Sequence, residues 1–157
     1  MSSTEKSFLE GMPKSDTIEF LQNRMEELFA MDSVNLDKEA LRQDKLYFEV
    51  QRYYIQEGQV YRFLLEKFEG VKLFRRKYYL RQLPESVYRD EPLNPFPMKS
   101  EVDYYLKADP LIWEMRQLVD EQDAKVNYLE SAIQRAKARS FDIKNAIQWR
   151  CMLEGRM

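Results

Sequence analysis

Histidine is absent from this sequence, and cysteine occurs once, at Cys151. The first absence removes the commonest general base and the commonest zinc ligand, and together the two exclude a Cys/His metal cluster and an internal disulfide framework. Only four glycines are present, scattered singly, and neither GxxxxGK[ST] nor GxGxxG occurs, so no glycine-rich loop is available to cradle a nucleotide phosphate. No apolar run approaches the roughly 18 residues that a bilayer span requires. The opening "MSSTEKSFLEG" has neither the apolar stretch nor the cleavage site of a secretory signal. A reducing cytoplasm is the expected setting, with no membrane partner, cofactor or metal.

What the chain does have is charge, 33% of its 157 residues, and 44% hydrophobic residues, a balance that suits a helix-rich protein. The 27 carboxylates are interspersed with lysine and arginine along helix-like segments, the pattern of a solvated surface and not of a paired acid/base site. A net charge of −2 conceals segregation. Met1 to Glu57 carries seven basic and twelve acidic residues, Tyr61 to Arg81 seven basic and two acidic, and Arg135 to Arg150 five basic and one acidic. An acidic N-terminal third is thus followed by two basic islands.

Local signals divide the chain into a flexible N-terminus (1–14), a helical region (15–83), a proline-rich connector (84–99) and C-terminal helices (100–157). In "SDTIEFLQNRMEELFAM", Asp16 is positioned to cap a helix with Glu19 three residues on, and Ile18, Leu21, Met25 and Leu28 form its apolar stripe. A second helix is expected from Ser33 or Asn35 to Gly58, and a third from Gln59 through Val60, Phe63, Leu64 and Phe68. Pro84, Pro92, Pro95 and Pro97 forbid a continuous helix and predict an extended connector or surface loop. Ser100 with Asp103 opens a short helix, and Asp109 followed by Pro110 begins a long one.

That last helix meets no proline or glycine until Gly155. At 1.5 Å per residue it would be about 65 Å long. Ile112, Val119, Val126, Ile133, Ser140 and Ile147 recur every seven residues, with Met115, Leu129, Ala136 and Ile143 three further on. Packing within the chain is one use of this stripe. Self-association is the other, and it is the one expected, because the helix outreaches any other helix available to cover it; Ile112, Val119, Val126, Leu129, Ile133, Ile143 and Ile147 are then the oligomerisation residues. The fold class expected is all-α: an elongated helical subunit with a long C-terminal helix, assembling as a ring-like homo-oligomer.

The densest basic stretch is "KLFRRKYYLRQL", with Lys72, Arg75, Arg76, Lys77 and Arg81 and no acid. Such a cluster is an ordinary solvated face or a nucleic-acid surface, in which cations neutralise phosphates and tyrosine rings stack on unpaired bases. Helical geometry puts Lys72, Arg76 and Tyr79 on one face with Arg75 beside them, while Tyr78 turns toward Leu73 and Phe74 as the better core candidate.

The order of pieces now bears on identity. "DSVNLDKEALRQDKLYFEVQRYY", a basic segment ending in "KYY", "KSEVDYYLKADPLI" and "AIQRAKARSFDIKNAIQWRCMLEG" resemble the UvsY recombination mediators of T4-type phages, over about Leu21 to Gly155. The resemblance implies a protein that is not an enzyme, that binds single-stranded DNA, contacts a RecA-like recombinase and a single-strand-binding protein, and helps load the recombinase in recombination-dependent replication and repair. It also implies a homo-oligomer of the hexamer or heptamer class, assembled through the C-terminal region. The family's DNA contacts are a lysine and an arginine before a tyrosine pair. Arg75 matches the arginine; Leu73 or Phe74 stands where the lysine belongs, with Lys72 the nearest basic residue, and Leu80 and Arg81 replace a glycine that follows the tyrosines. Lys72, Arg75, Arg76, Lys77, Tyr79 and Arg81 are the candidate DNA-binding residues. A helical scaffold whose basic islands meet an acidic protein is the competing class.

Overall fold

The structure, a computed structural model, describes residues 3–156, and among these there are helices and no strand. The α-helices are α1 (Ser3–Phe8), α2 (Ile18–Phe29), α3 (Leu36–Leu41), α4 (Gln43–Tyr79), α5 (Glu85–Asp90), α6 (Val102–Lys107) and α7 (Pro110–Leu153), with a 3-10 turn at Lys99–Glu101. None of the described helices is long and apolar enough to cross a membrane.

Several starts and stops obey local chemistry. Asp109 caps α7 as its sequence predicts, its carboxylate accepting from the Ile112 amide at 3.1 Å. The same helix closes on Gly155, whose φ of 67° lets the Arg156 amide reach back to the Cys151 carbonyl at 3.0 Å. Other boundaries correct the expectation. Thr17 and not Asp16 caps α2, its hydroxyl accepting from the Phe20 amide at 3.1 Å, while the Asp16 carboxylate accepts from Gln56. Ser100 lies inside the 3-10 turn, and the Glu101 carboxylate instead accepts from the Met98 amide.

The largest correction concerns α4. The second and third helices expected from the sequence are one helix of 37 residues, running through both Gly58 and Gly70, preceded by the short α3. A glycine inside a helix costs about 1 kcal/mol relative to alanine. Burial of Val60, Leu64 and Val71 around those positions outweighs it.

The residues form two compact units, neither continuous in sequence. The first takes the segment ending at Pro13 together with Val60–Asp123, and the second takes Lys14–Gln59 with Ala124–Met157. In the first, Val60 and Leu64 of α4 pack with Val119 of α7, and Val71 packs with Ile112 and Met115. In the second, Leu21, Met25 and Leu28 of α2 and Leu46 and Val50 of α4 enclose Leu129, Ile133 and Ala136 of α7. Buried Glu57 pins the start of α2 there, accepting from the Asp16 amide at 2.7 Å and the Ser15 hydroxyl at 2.8 Å beside Lys125.

α7 does outreach every other described helix, yet most of its heptad stripe is covered inside the chain. It has 44 residues against 37 in α4, and Ile112, Val119, Leu129, Ile133 and Ile143 are buried while Val126 and Ile147 are half-buried within the chain. A different stripe of α7 is exposed near its end: Phe141, Asn145, Trp149 and Met152, at helical spacing.

Candidate nucleic-acid interface

The last two turns of α4 lie in the first unit and carry most of the basic cluster. Their faces are sorted by what packs on them. Tyr78 and Tyr79 are buried with Val102, and the proline-rich segment folds back on them: Val87, Tyr88 and Leu93 join that core. Tyr78 stacks on Tyr88 at 5.4 Å, and the Tyr88 hydroxyl donates to the Tyr78 carbonyl at 2.9 Å. The expected extended connector is thus a packed cover containing helix α5. Burial of Tyr78 agrees with its reading as core; burial of Tyr79 does not, and removes that ring from the exposed face.

Arg75 departs furthest from expectation. Its side chain is 6% exposed and its Nε donates to Asp109, itself fully buried, at 2.7 Å. The two terminal nitrogens donate to the two oxygens of Glu91 at 3.1 and 3.2 Å, and the guanidinium sits 4.3 Å from the Tyr78 ring centre. Burial opposes the charge, but Glu91, Tyr79 and Asp109 outweigh it and hold the guanidinium's pKa above its ordinary value. Burial and donation to Asp109 at 2.6 Å push the Tyr79 hydroxyl up to about 12. Arg75 is therefore enclosed, with carboxylates on both sides.

Arg81 ends α4. Its φ of 57° is left-handed, and the Gln82 amide reaches back to the Lys77 carbonyl at 2.9 Å, the closure that a glycine makes most easily. Its guanidinium lies 4.3 Å from the Phe96 ring centre.

Lys72, Arg76 and Lys77 remain toward solvent. Lys72 and Arg76 line a groove of about 380 Å³ together with Lys107 of α6 and Arg116 of α7, over a floor of Leu73, Leu106 and Ile112. Glu69 is the acid on its rim and pairs with Lys72 at 2.6 Å; Arg76 pairs with Asp103 at 3.2 Å. Lys107 and Arg116 enter no ion pair among the described residues. Tyr104 and Trp113, both exposed, stand three residues before Lys107 and Arg116 on the same helix faces.

Sequence reasoning missed Lys107 and Arg116 because each is a lone cation far along the chain from the cluster. The available signal was their spacing from an aromatic residue at helical register. The second basic island contributes less exposed charge than its count suggests. Arg139 is buried against Glu39 at 2.7 Å and the Phe29 carbonyl at 2.7 Å, and Arg150 donates to the carbonyls of Ser33 and Val34. Arg139 and Arg42 together satisfy carbonyls at the C-terminal end of α2, where positive charge is favoured.

Four cations from three helices around an apolar floor, flanked by exposed rings, can neutralise successive phosphates and take unpaired bases without reading sequence. A family model described as "Recombination, repair and ssDNA binding protein UvsY" matches residues 24–156. Among curated proteins and among solved structures, none matches the chain.

Proposed function

Because the chain belongs to the UvsY family, we propose that it is a recombination mediator: it binds single-stranded DNA and helps load a RecA-like phage recombinase onto strands covered by single-strand-binding protein. It works by binding and handing over, with no covalent step, in the cytoplasm of the host cell during recombination-dependent replication and repair.

The observation that carries this reading is the groove of Lys72, Arg76, Lys107 and Arg116. The strand takes the places of Glu69 and Asp103, which hold Lys72 and Arg76 only by exposed ion pairs. The mediator assembles as a homo-oligomer, and the exposed stripe of Phe141, Asn145, Trp149 and Met152 supports a contact with a second copy there. Many weak sites on one assembly hold a strand by avidity while each exchanges readily, which loading requires.

A fluorescence-anisotropy salt titration with single- and double-stranded DNA, run beside a mass measurement, tests the proposal. Each phosphate contact on a single strand contributes about −0.7 to the slope of log affinity against log salt. Lys107→Ala with Arg116→Ala is expected to weaken binding and flatten that slope by about 1.4. An unchanged affinity and slope would refute the groove as the binding surface.

A further inference from the structure

The proline-rich segment sends one charged side chain onto the basic helix. Glu91 is 57% exposed, yet its two oxygens span both terminal nitrogens of Arg75. This two-pronged grip is also how a guanidinium takes a phosphate, whose paired oxygens match the same fork. Behind it, Arg75 is fixed by Asp109 at Nε and by the flanking tyrosine rings, so its outer edge is presented in one orientation. That edge opens on a cleft of about 280 Å³ lined by Thr4, Arg75, Glu91, Pro110, Leu111 and Glu114.

We propose that Glu91 is a built-in competitor of the strand: its carboxylate occupies a phosphate subsite on Arg75, and a backbone phosphate of bound single-stranded DNA displaces it. The inference rests on the single-strand-binding reading above. The exchange leaves the number of negative groups around Arg75 unchanged, so the buried Arg75–Asp109 pair is kept throughout. Glu114 on the cleft wall disfavours a small free anion there, whereas a phosphate delivered by a strand already held at Lys72 and Arg76 arrives at high effective concentration. The Tyr78 hydroxyl donates to the Glu91 carbonyl at 2.9 Å, so the connector backbone stays anchored when the carboxylate swings away.

The test compares wild type, Glu91→Gln and Glu85→Gln in the same anisotropy salt titration on labelled oligo-deoxythymidine. Both variants remove one negative charge from the same segment, but Glu85 pairs with Arg89, at 3.7 Å, and not with Arg75. Glu91→Gln is expected to bind about fivefold tighter at low salt. The phosphate contact is the same in both proteins, but in wild type the freed Glu91 carboxylate takes up part of the counterion that the phosphate releases, so the salt slope of Glu91→Gln should be the steeper by up to about 0.7. Glu85→Gln should resemble wild type. Equal gains in the two variants, or no gain from Glu91→Gln while wild type binds, overturn the competitor role and leave the functional reading standing. Failure of wild type itself to bind the oligonucleotide overturns both. Should Glu91→Gln not fold, Glu91→Asp carries the same test, since a side chain shorter by one methylene draws the carboxylate back from Arg75 and should give a smaller gain.

Discussion

Arg75 and Arg76 are adjacent in sequence, and replacing each by alanine should have opposite consequences. Removing Arg75 leaves the Asp109 carboxylate fully buried, held among the described residues by the Tyr79 hydroxyl at 2.6 Å and the Ile112 amide at 3.1 Å. Breaking one side of a buried ion pair costs about 3–5 kcal/mol. A domain of ordinary stability has about 5–15 kcal/mol to lose, so Arg75→Ala should be folded but severely weakened. With a urea dependence of about 2 kcal/mol per molar, the unfolding midpoint should fall by roughly 2 M. Arg76 pairs with Asp103 where both side chains are more than half exposed, so Arg76→Ala should move the midpoint little, by about 0–1 kcal/mol. The same variant should weaken single-strand binding. Urea unfolding followed by circular dichroism, with anisotropy on the same samples, reads both quantities. The double change Arg75→Met with Asp109→Asn removes both charges and keeps a capping side chain, and should recover much of the lost stability. A wild-type midpoint for Arg75→Ala would refute the reasoning, as would a double variant no more stable than the single one.

Three further outcomes follow from the same geometry. Gly70→Ala should raise stability by about 0.5–1 kcal/mol in thermal unfolding, because a Cβ there meets nothing within 4 Å and the backbone is helical. The Tyr79 hydroxyl titrates at about 12 in the folded protein against an ordinary 10.0. A raised folded-state value means its contribution is complete below pH 10 and is lost as pH rises toward about 12, so the unfolding midpoint should drop across that window and drop less in Tyr79→Phe. Finally, Trp149→Asp should give smaller species by mass measurement with helicity retained, whereas Ile133→Asp, which places a charge in the second unit's core, should unfold the protein.

The sequence was legible where a rule acts within a few residues. Asp109–Pro110 opened α7, Gly155 closed it, and the seven-residue recurrence marked the face it buries. It misled where a local signal met an opposing tertiary one. Gly58 reads as a stop, and nothing nearby in the chain shows that Val60 and Leu64 will be buried against Val119 to carry the helix onward. Thr17 and Asp16 are equivalent as caps by type, and what decides between them is Glu57, forty-one residues away, which binds the Asp16 amide. The heptad of α7 showed that a partner helix was needed without showing whose it was. The same limit applied to Arg75: periodicity set it beside Lys72 and Arg76, but its carboxylate partners lie 16 and 34 residues downstream, on elements whose return to α4 no spacing encodes.

The way cations are held in the first unit bears directly on how a mediator can let go. Lys107 and Arg116 enter no ion pair among the described residues, Lys72 and Arg76 are held by exposed carboxylates, and Arg75 is held by one exposed and one fully buried carboxylate. Exposed pairs are worth about 0–1 kcal/mol, so a phosphate exchanges with Glu69 or Asp103 at little net change in either direction. A surface built only of unpaired cations would bind faster and release more slowly, because no internal anion would return to each vacated site. Carboxylates that wait beside the cations lower affinity per contact and speed dissociation, and a multivalent assembly restores total affinity without restoring the lifetime of any one contact. On this reasoning Glu69→Gln together with Asp103→Asn should tighten single-strand binding while lengthening the bound lifetime, and should slow the transfer of strand to a recombinase. Tighter binding with an unchanged off-rate in stopped-flow competition would show that the rim carboxylates act on encounter alone.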